Sequence, residues 1–153
     1  MRLPVQVLAI VYRVIDGRIE YLLLHRLSWR GAFWQPIGGG LEEGETLLEC
    51  LARECREEMG TDAFISVIPD VNLVQYDQEE FLPGRTLRLT MYTYGVQVPV
   101  DAAITIENNP SPEHDDWKWC DYDTAMSLLK WEDNKVALKK LHTMLIEQVQ
   151  RHP

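Results

Sequence analysis

The segment from Thr46 to Gly60 predicts a helix whose two ends are fixed by its own sequence. Thr46 and Glu49 fit the S/T-x-x-E capping box, in which each side chain accepts a backbone N–H of the first turn, and Gly60 is well placed to end the helix. The predicted helix therefore covers residues 47–59. With a period of 3.6 residues, its apolar stripe, which we expect to pack on a sheet, consists of Leu48, Leu51, Ala52, Cys55 and Met59.

Three carboxylates gather on the neighbouring stripe of this helix. Glu54, Glu57 and Glu58 have the spacing i, i+3 and i+4, which costs roughly 0.2–0.5 kcal/mol per like-charge pair unless a cation offsets it. Glutamates on a helix are often only its solvated face. Here, however, the helix follows residues 38–40, three glycines whose backbone groups can approach a metal or a phosphate closely. Because Mg²⁺ and Mn²⁺ prefer oxygen ligands, the pattern indicates a divalent metal centre.

The rest of the chain predicts a mixture of strands and helices. Apolar runs at 5–14 and 19–24 flank Asp16-Gly17 and predict a hairpin of two buried strands. The stretch 28–44, dense in Gly, Trp and Pro, predicts an ordered loop. The other predicted elements are strands at 63–68, 85–98 and 117–120, a loop at 99–116, and helices at 124–130 and 132–150. These elements indicate the α/β class.

Composition bounds the classes of function. A chain of 153 residues with 46% hydrophobic residues is expected to form a single domain over 1–153. The formal net charge of -9 argues against long nucleic acid as a main partner. We expect a cytoplasmic protein, since the sequence shows neither a signal-peptide pattern nor a membrane-spanning run. Three cysteines without metal-ligand spacing predict reduced, partly buried thiols.

The loop and helix together resemble the signature of the Nudix hydrolases, G-x5-E-x7-R-E-U-x-E-E-x-G-U, in which U is a bulky aliphatic residue. The charged and glycine positions all match, whereas Cys55 and Thr61 depart at packing positions. The matching segment reads Gly39-x5-Glu45-x7-Arg53-Glu54-Cys55-Arg56-Glu57-Glu58-Met59-Gly60-Thr61. The resemblance implies an α/β/α sandwich with a mixed central sheet, and an enzyme that requires Mg²⁺ or Mn²⁺.

The same resemblance implies roles for individual residues. Glu54, Glu57, Glu58 and the carbonyl of Gly38 would bind the metal. Glu45 and Arg53 would pair and hold the loop against the helix, with Gly39 and Gly60 as structural positions of the motif. No serine, cysteine or histidine arrangement offers a side-chain nucleophile, so we expect a water activated by the metal to attack phosphorus in line.

Residues outside the signature point to a branch of the family and to the substrate. Residues 33–35, 113–119 and 131–135 are similar to the branch of dihydroneopterin triphosphate pyrophosphatases and dATP pyrophosphohydrolases. By this resemblance Glu113 is a further metal ligand or base, although an ordinary solvated loop explains it equally well, and Glu54 is another possible base. Arg26 is a candidate phosphate ligand or a surface arginine. Trp34 is a candidate for stacking on a base or pterin or a core residue, and Gln35 is a candidate substrate contact.

The expected function is hydrolysis of a phosphoanhydride bond in a nucleoside triphosphate-like substrate with release of pyrophosphate, by a monomer or homodimer. Diadenosine polyphosphate hydrolysis is the alternative reaction. A noncatalytic nucleotide-sensing domain is the alternative class, but such a domain need not keep all three carboxylates.

Overall fold

The computed structural model describes residues 2–79, 84 and 86–151. Ten helices and strands lie within this part of the chain, together with a 3-10 helix at Ser28–Arg30. In chain order they are β1 (Arg2–Ile15), β2 (Arg18–Arg26), β3 (Trp34–Gln35), β4 (Ile37–Glu42), α1 (Leu47–Met59), β5 (Ser66–Glu79), β6 (Thr86–Gln97), β7 (His114–Cys120), α2 (Tyr122–Leu128) and α3 (Glu132–Arg151).

The described strands form one mixed sheet with β1 at its centre. β1 runs parallel to β6 along one edge, and along the other edge it pairs antiparallel with β4 and then with β2. β5 pairs with β6, whereas β3 and β7 both pair with β2. The predicted hairpin between β1 and β2 is confirmed, and both turn residues, Asp16 and Gly17, have the positive φ that a two-residue hairpin turn requires.

Helices cover both faces of this sheet, as the predicted α/β/α sandwich requires. Alternate residues of β1 point to opposite faces. Val7, Ala9 and Val11 belong to the core beneath α1, and Leu8, Ile10 and Tyr12 belong to the core beneath α2 and α3. All three cysteines are free and buried. No helix in the described ranges has both the length and the apolar character needed to span a membrane.

The predicted loop at 28–44 is wrong, because β3 and β4 lie within it. β4 forms through backbone pairing with β1, in which Gly39 lies opposite Val7 and Gly38 opposite Leu8. Such pairing needs no particular side chain. The sequence analysis looked for β-branched residues and alternating polarity, and it did not detect this strand because the centre of β4 consists of glycines.

The predicted strand at 63–68 is also wrong in its bounds. β5 begins at Ser66 and continues to Glu79, with a register shift between Ile68 and Asn72 and a positive φ at Asp70. Its polar second half is held by pairing with β6. Arg85, the predicted start of the following strand, lies outside the described residues.

The starts of β7 and α2 also differ from the prediction. The loop predicted at 99–116 ends at Glu113, because β7 begins at His114. α2 begins two residues before the predicted start, at Tyr122, because Asp121 caps it by accepting a hydrogen bond from the Thr124 backbone N–H.

The helix α1 has the predicted bounds and the predicted capping box. Its buried face is different: Leu48 is 59% exposed, whereas Cys50, absent from the predicted stripe, is fully buried. The helix is rotated so that Glu54 and Glu58 also face inward. These carboxylates tolerate burial because both have polar partners, which are described below.

Candidate active site

Three carboxylates of α1 form a candidate metal centre. One oxygen from each of Glu54, Glu57 and Glu58 lies within 4.8 Å of the others. Glu54 and Glu58 are buried, whereas the Glu57 side chain is 41% exposed. This arrangement suits a hard divalent cation that binds a few protein oxygens and leaves other positions for water and phosphate.

Burial shifts the proton equilibrium of this cluster. It raises the pKa of Glu54 to about 7; the Arg53 guanidinium opposes this shift, and the negative charges of Glu57 and Glu58 add to it. A carboxyl group in this position resists ionisation near neutral pH unless a cation offsets its charge. The site therefore fits a divalent metal, and metal binding is expected to displace protons.

The glycine segment of β4 makes room for this cluster. A Cβ atom built on Gly39 would overlap the carboxyl group of Glu54. Gly39 is therefore required by the close approach of backbone and carboxylate, and not by a special φ angle. Gly38 also lines the site, but its carbonyl as a metal ligand stays a prediction.

Gly39→Ala is expected to weaken metal binding while the chain still folds. The new methyl group would force the Glu54 carboxylate to rotate away, and a displacement of about 1 Å at a reacting centre typically costs roughly 100-fold in turnover. Manganese binding followed by electron paramagnetic resonance measures the affinity directly. Gly17→Ala is the control, because it adds the same methyl group in the turn between β1 and β2, where a Cβ would meet nothing within 4 Å. Equal manganese affinity in both variants would contradict this steric account.

Arg53 connects the glycine segment, the following loop and the metal cluster. Its Nε and Nη2 donate to the two carboxylate oxygens of Glu45 at 2.7 and 3.0 Å. Nη2 also donates to the Gly40 carbonyl at 2.9 Å, and Nη1 donates to Glu54 at 2.9 Å. The hydrogen bonds from Arg53 hold the pKa of Glu45 below its usual range. These bonds join Glu45 and the Gly40 carbonyl to the helix, whereas the role of the Glu45–Arg53 pair in holding the loop stays a prediction.

Gly60 ends the helix in the left-handed conformation, with φ +83° and its N–H donating to the Arg56 carbonyl. A Cβ at this position would also overlap the Thr105 side chain. Both constraints account for a glycine at this position of the motif.

The carboxylates open onto a cavity of about 1010 Å³. Its wall includes Arg26, Gln35 and Glu113, three of the residues singled out from the sequence. Arg26 lines this cavity, and its Nε is buried without a hydrogen-bond partner among the described residues. The Gln35 amide nitrogen is instead engaged, 2.8 Å from Nε2 of His114.

Trp34 does not line this cavity, so a stacking role for it is not supported. Its ring packs against the core beneath α2 and α3, near His25 and under the ammonium group of Lys118. The neighbouring residue Phe33 lines the cavity instead, in edge-to-face contact with Trp131 at 5.8 Å. Within β3 the two faces alternate as expected: Trp34 points away from the cavity, and the next residue, Gln35, lines it.

Glu113 lies outside the three-carboxylate cluster but on the same cavity wall. Its carboxylate lies 3.6 Å from Arg30, and its backbone carbonyl accepts from the Leu27 N–H. Its role as a metal ligand or base stays a prediction. The sequence analysis missed Asn109 and the role of His114 in this region, both of which contact Glu58.

Sequence comparisons identify a family and several relatives of the chain. A family model for the NUDIX domain matches residues 4–141. Dihydroneopterin triphosphate diphosphatase of Escherichia coli is 28% identical over 90% of this chain and 91% of its own length. The asymmetrical bis(5'-nucleosyl)-tetraphosphatase of Caenorhabditis elegans is 25% identical over 89% and 92%. An octanoyltransferase of Myxococcus xanthus is 32% identical over 83% of this chain, which spans only 34% of that protein's length.

Solved structures agree in fold over nearly the whole chain. A NUDIX hydrolase from Listeria monocytogenes superposes with a TM-score of 0.80 at 25% identity, covering 96% of this chain and 97% of the other. The Escherichia coli dihydroneopterin triphosphate pyrophosphohydrolase superposes with a TM-score of 0.70 at 28% identity, covering 91% and 94%. The signature, the three-carboxylate cluster and these matches lead to one conclusion: the chain belongs to the Nudix family and is a hydrolase of phosphoanhydrides.

Proposed function

We propose that this hydrolase cleaves a nucleoside triphosphate-like substrate, dihydroneopterin triphosphate or a (deoxy)nucleoside triphosphate, and releases pyrophosphate. The observation that carries the proposal is the opening of three clustered carboxylates onto a cavity whose wall also carries Arg26 and Arg30. Similarity to the Escherichia coli diphosphatase along nearly the full length of both chains supports the choice of substrate.

Charge explains how an acidic cavity admits a polyphosphate. Among the described residues, three arginines line the cavity, but six carboxylates make it negative. The arginines are Arg26, Arg30 and Arg53, and the carboxylates are Glu42, Glu54, Glu57, Glu58, Glu113 and Asp133. Mg²⁺ or Mn²⁺, when held by Glu54, Glu57, Glu58 and the Gly38 carbonyl, supplies Lewis-acid polarisation of phosphate oxygens and lowers the pKa of water. The local field then reverses in sign and favours phosphate binding.

Different residues of the cavity wall contact different parts of the substrate. Arg26 and Arg30 bind phosphate oxygens, since both arginines line the cavity. Phe33 and Trp131 contact the base or pterin, because they are aromatic residues at the cavity wall and Trp131 is 52% exposed. Glu113 accepts the proton of the attacking water, with Glu54 as the alternative base.

Diadenosine polyphosphate hydrolysis is the second candidate. The similarity to the Caenorhabditis elegans tetraphosphatase over 89% of this chain and 92% of that protein's own length favours it.

A product-resolved substrate screen distinguishes the candidates. Nucleoside triphosphates, dihydroneopterin triphosphate, diadenosine polyphosphates and ADP-ribose are each incubated with enzyme and Mg²⁺, and the phosphate-containing products are separated. We expect pyrophosphate together with the monophosphate from a triphosphate substrate. Preferred release of a mononucleotide and a nucleoside triphosphate from diadenosine tetraphosphate would establish the alternative. Release of orthophosphate together with the corresponding diphosphate would contradict both.

A further inference from the structure

His114 is a buried histidine for which the proposed reaction has no use. It is the first residue of β7 and is 6% exposed, and its ring reaches across to α1. Nδ1 lies 2.8 Å from Oε2 of Glu58, one of the three clustered carboxylates. A buried imidazole in contact with a candidate metal ligand is placed to control the orientation of that ligand.

Gln35 determines which nitrogen of the ring carries the proton. Its amide nitrogen lies 2.8 Å from Nε2 of His114. Because an amide nitrogen only donates, Nε2 accepts, and the proton resides on Nδ1. His114 therefore donates from Nδ1 to Glu58. A chain of two directed hydrogen bonds thus runs from β3 through β7 to the metal cluster.

Glu58 is held at both of its oxygens. His114 donates to Oε2, and Asn109 donates to Oε1 at 3.3 Å. Glu57 differs, since its carboxylate lies 3.5 Å from Arg53 and its side chain is 41% exposed. Each oxygen of a carboxylate has a second lone pair, so these hydrogen bonds fix Glu58 in place and leave it able to bind a cation.

We propose that His114 is a positioning residue that fixes Glu58 as a metal ligand, and that Gln35 fixes the tautomer of its ring. The inference rests on the proposed metal site. It assigns part of the metal affinity to β3 and β7, which lie outside the signature. Partners of this kind typically contribute 10- to 100-fold to metal affinity.

Two isosteric replacements test which ring nitrogen matters. In His114→Asn the amide nitrogen occupies the place of Nδ1, and it can still donate to Glu58. In His114→Gln the amide nitrogen occupies the place of Nε2, and the bond to Glu58 is lost. Manganese affinity is measured without substrate by electron paramagnetic resonance. We expect a loss of about 10- to 100-fold for His114→Gln and for His114→Ala, and a loss of less than about tenfold for His114→Asn.

His25→Asn is the matched control, because His25 pairs with Asp115 at 2.7 Å and does not line the cavity. It is expected to bind manganese as the unmodified enzyme does. Failure of the unmodified enzyme to bind manganese would overturn the proposed function itself. If the unmodified enzyme binds manganese but His114→Asn and His114→Gln lose the same affinity, the positioning role of His114 is overturned. The same holds if neither variant loses affinity. The proposed function is not affected in either case. If circular dichroism shows that His114→Ala does not fold, the manganese affinities of His114→Asn and His114→Gln still test the positioning role.

Discussion

Replacing Glu57 by glutamine is expected to lower turnover by about 1000-fold or more at saturating Mg²⁺. The change preserves shape and removes one charge from a cluster whose oxygens lie within 4.8 Å of one another. Loss of a metal ligand removes several kcal/mol of charge stabilisation, and each 1.36 kcal/mol corresponds to a factor of ten in rate. Because the Glu57 side chain is 41% exposed, the thermal midpoint is expected to stay close to that of the unmodified chain. Product release and circular dichroism measure the two quantities.

Glu43→Gln makes the same chemical change nearby and serves as the control. Glu43 is exposed and is not part of the cavity wall, so its replacement is expected to leave turnover unaltered. Turnover retained by Glu57→Gln with the preferred substrate would show that the carboxylate cluster is not the metal centre.

Glu113→Gln separates proton transfer from metal binding. Glu113 lies on the cavity wall but outside the cluster, so this variant is expected to lose at least about tenfold in rate and to keep its manganese affinity. A matching loss of manganese affinity would make Glu113 a ligand. An unchanged rate would leave it without a part in catalysis.

The helix α1 illustrates what the sequence alone determines well. Its start depends on two hydrogen bonds between Thr46 and Glu49, three residues apart, and its end depends on the conformation of Gly60. Local interactions of this kind are visible in a short window of sequence. For the same reason the i, i+3 and i+4 spacing was sufficient to bring the three carboxylates together.

The glycine segment shows where this reasoning fails. Residues 37–42 form β4 because β1 offers a partner edge, and that partner is about 30 residues away in sequence. The second half of β5 is likewise a strand only in the presence of β6. Pairing over such distances is decided by the assembled sheet and has no local signature.

The cavity wall required the same long-range information. The sequence suggested Trp34 as a stacking residue, and only the assembled fold shows that Phe33 lines the cavity instead. His114 was noticed as a neighbour of Glu113, but its contact with Glu58 spans 56 positions of sequence. Motif analysis therefore does not identify site residues that are contributed by a distant strand.

Arg53→Lys is expected to destabilise the fold by roughly 2 kcal/mol, which corresponds to a fall of about 4–8 °C in the thermal midpoint. Three nitrogens of Arg53 contact Glu45, the Gly40 carbonyl and Glu54 at once. A lysine ammonium is a single point donor and cannot reproduce the paired bonds to Glu45. The loss is smaller than the 3–5 kcal/mol for a fully buried ion pair, because the Arg53 side chain is 17% exposed.

Arg56→Lys provides the matched comparison on the same helix. Arg56 pairs with Asp62 at 2.7 Å, but the two side chains are 54% and 44% exposed, so the expected change is below about 1 kcal/mol. Calorimetry of both variants, without added metal, measures the difference. Equal stability of the two variants would show that the Arg53 contacts do not hold the loop. In that case the role of Arg53 would be limited to the charge it places beside Glu54.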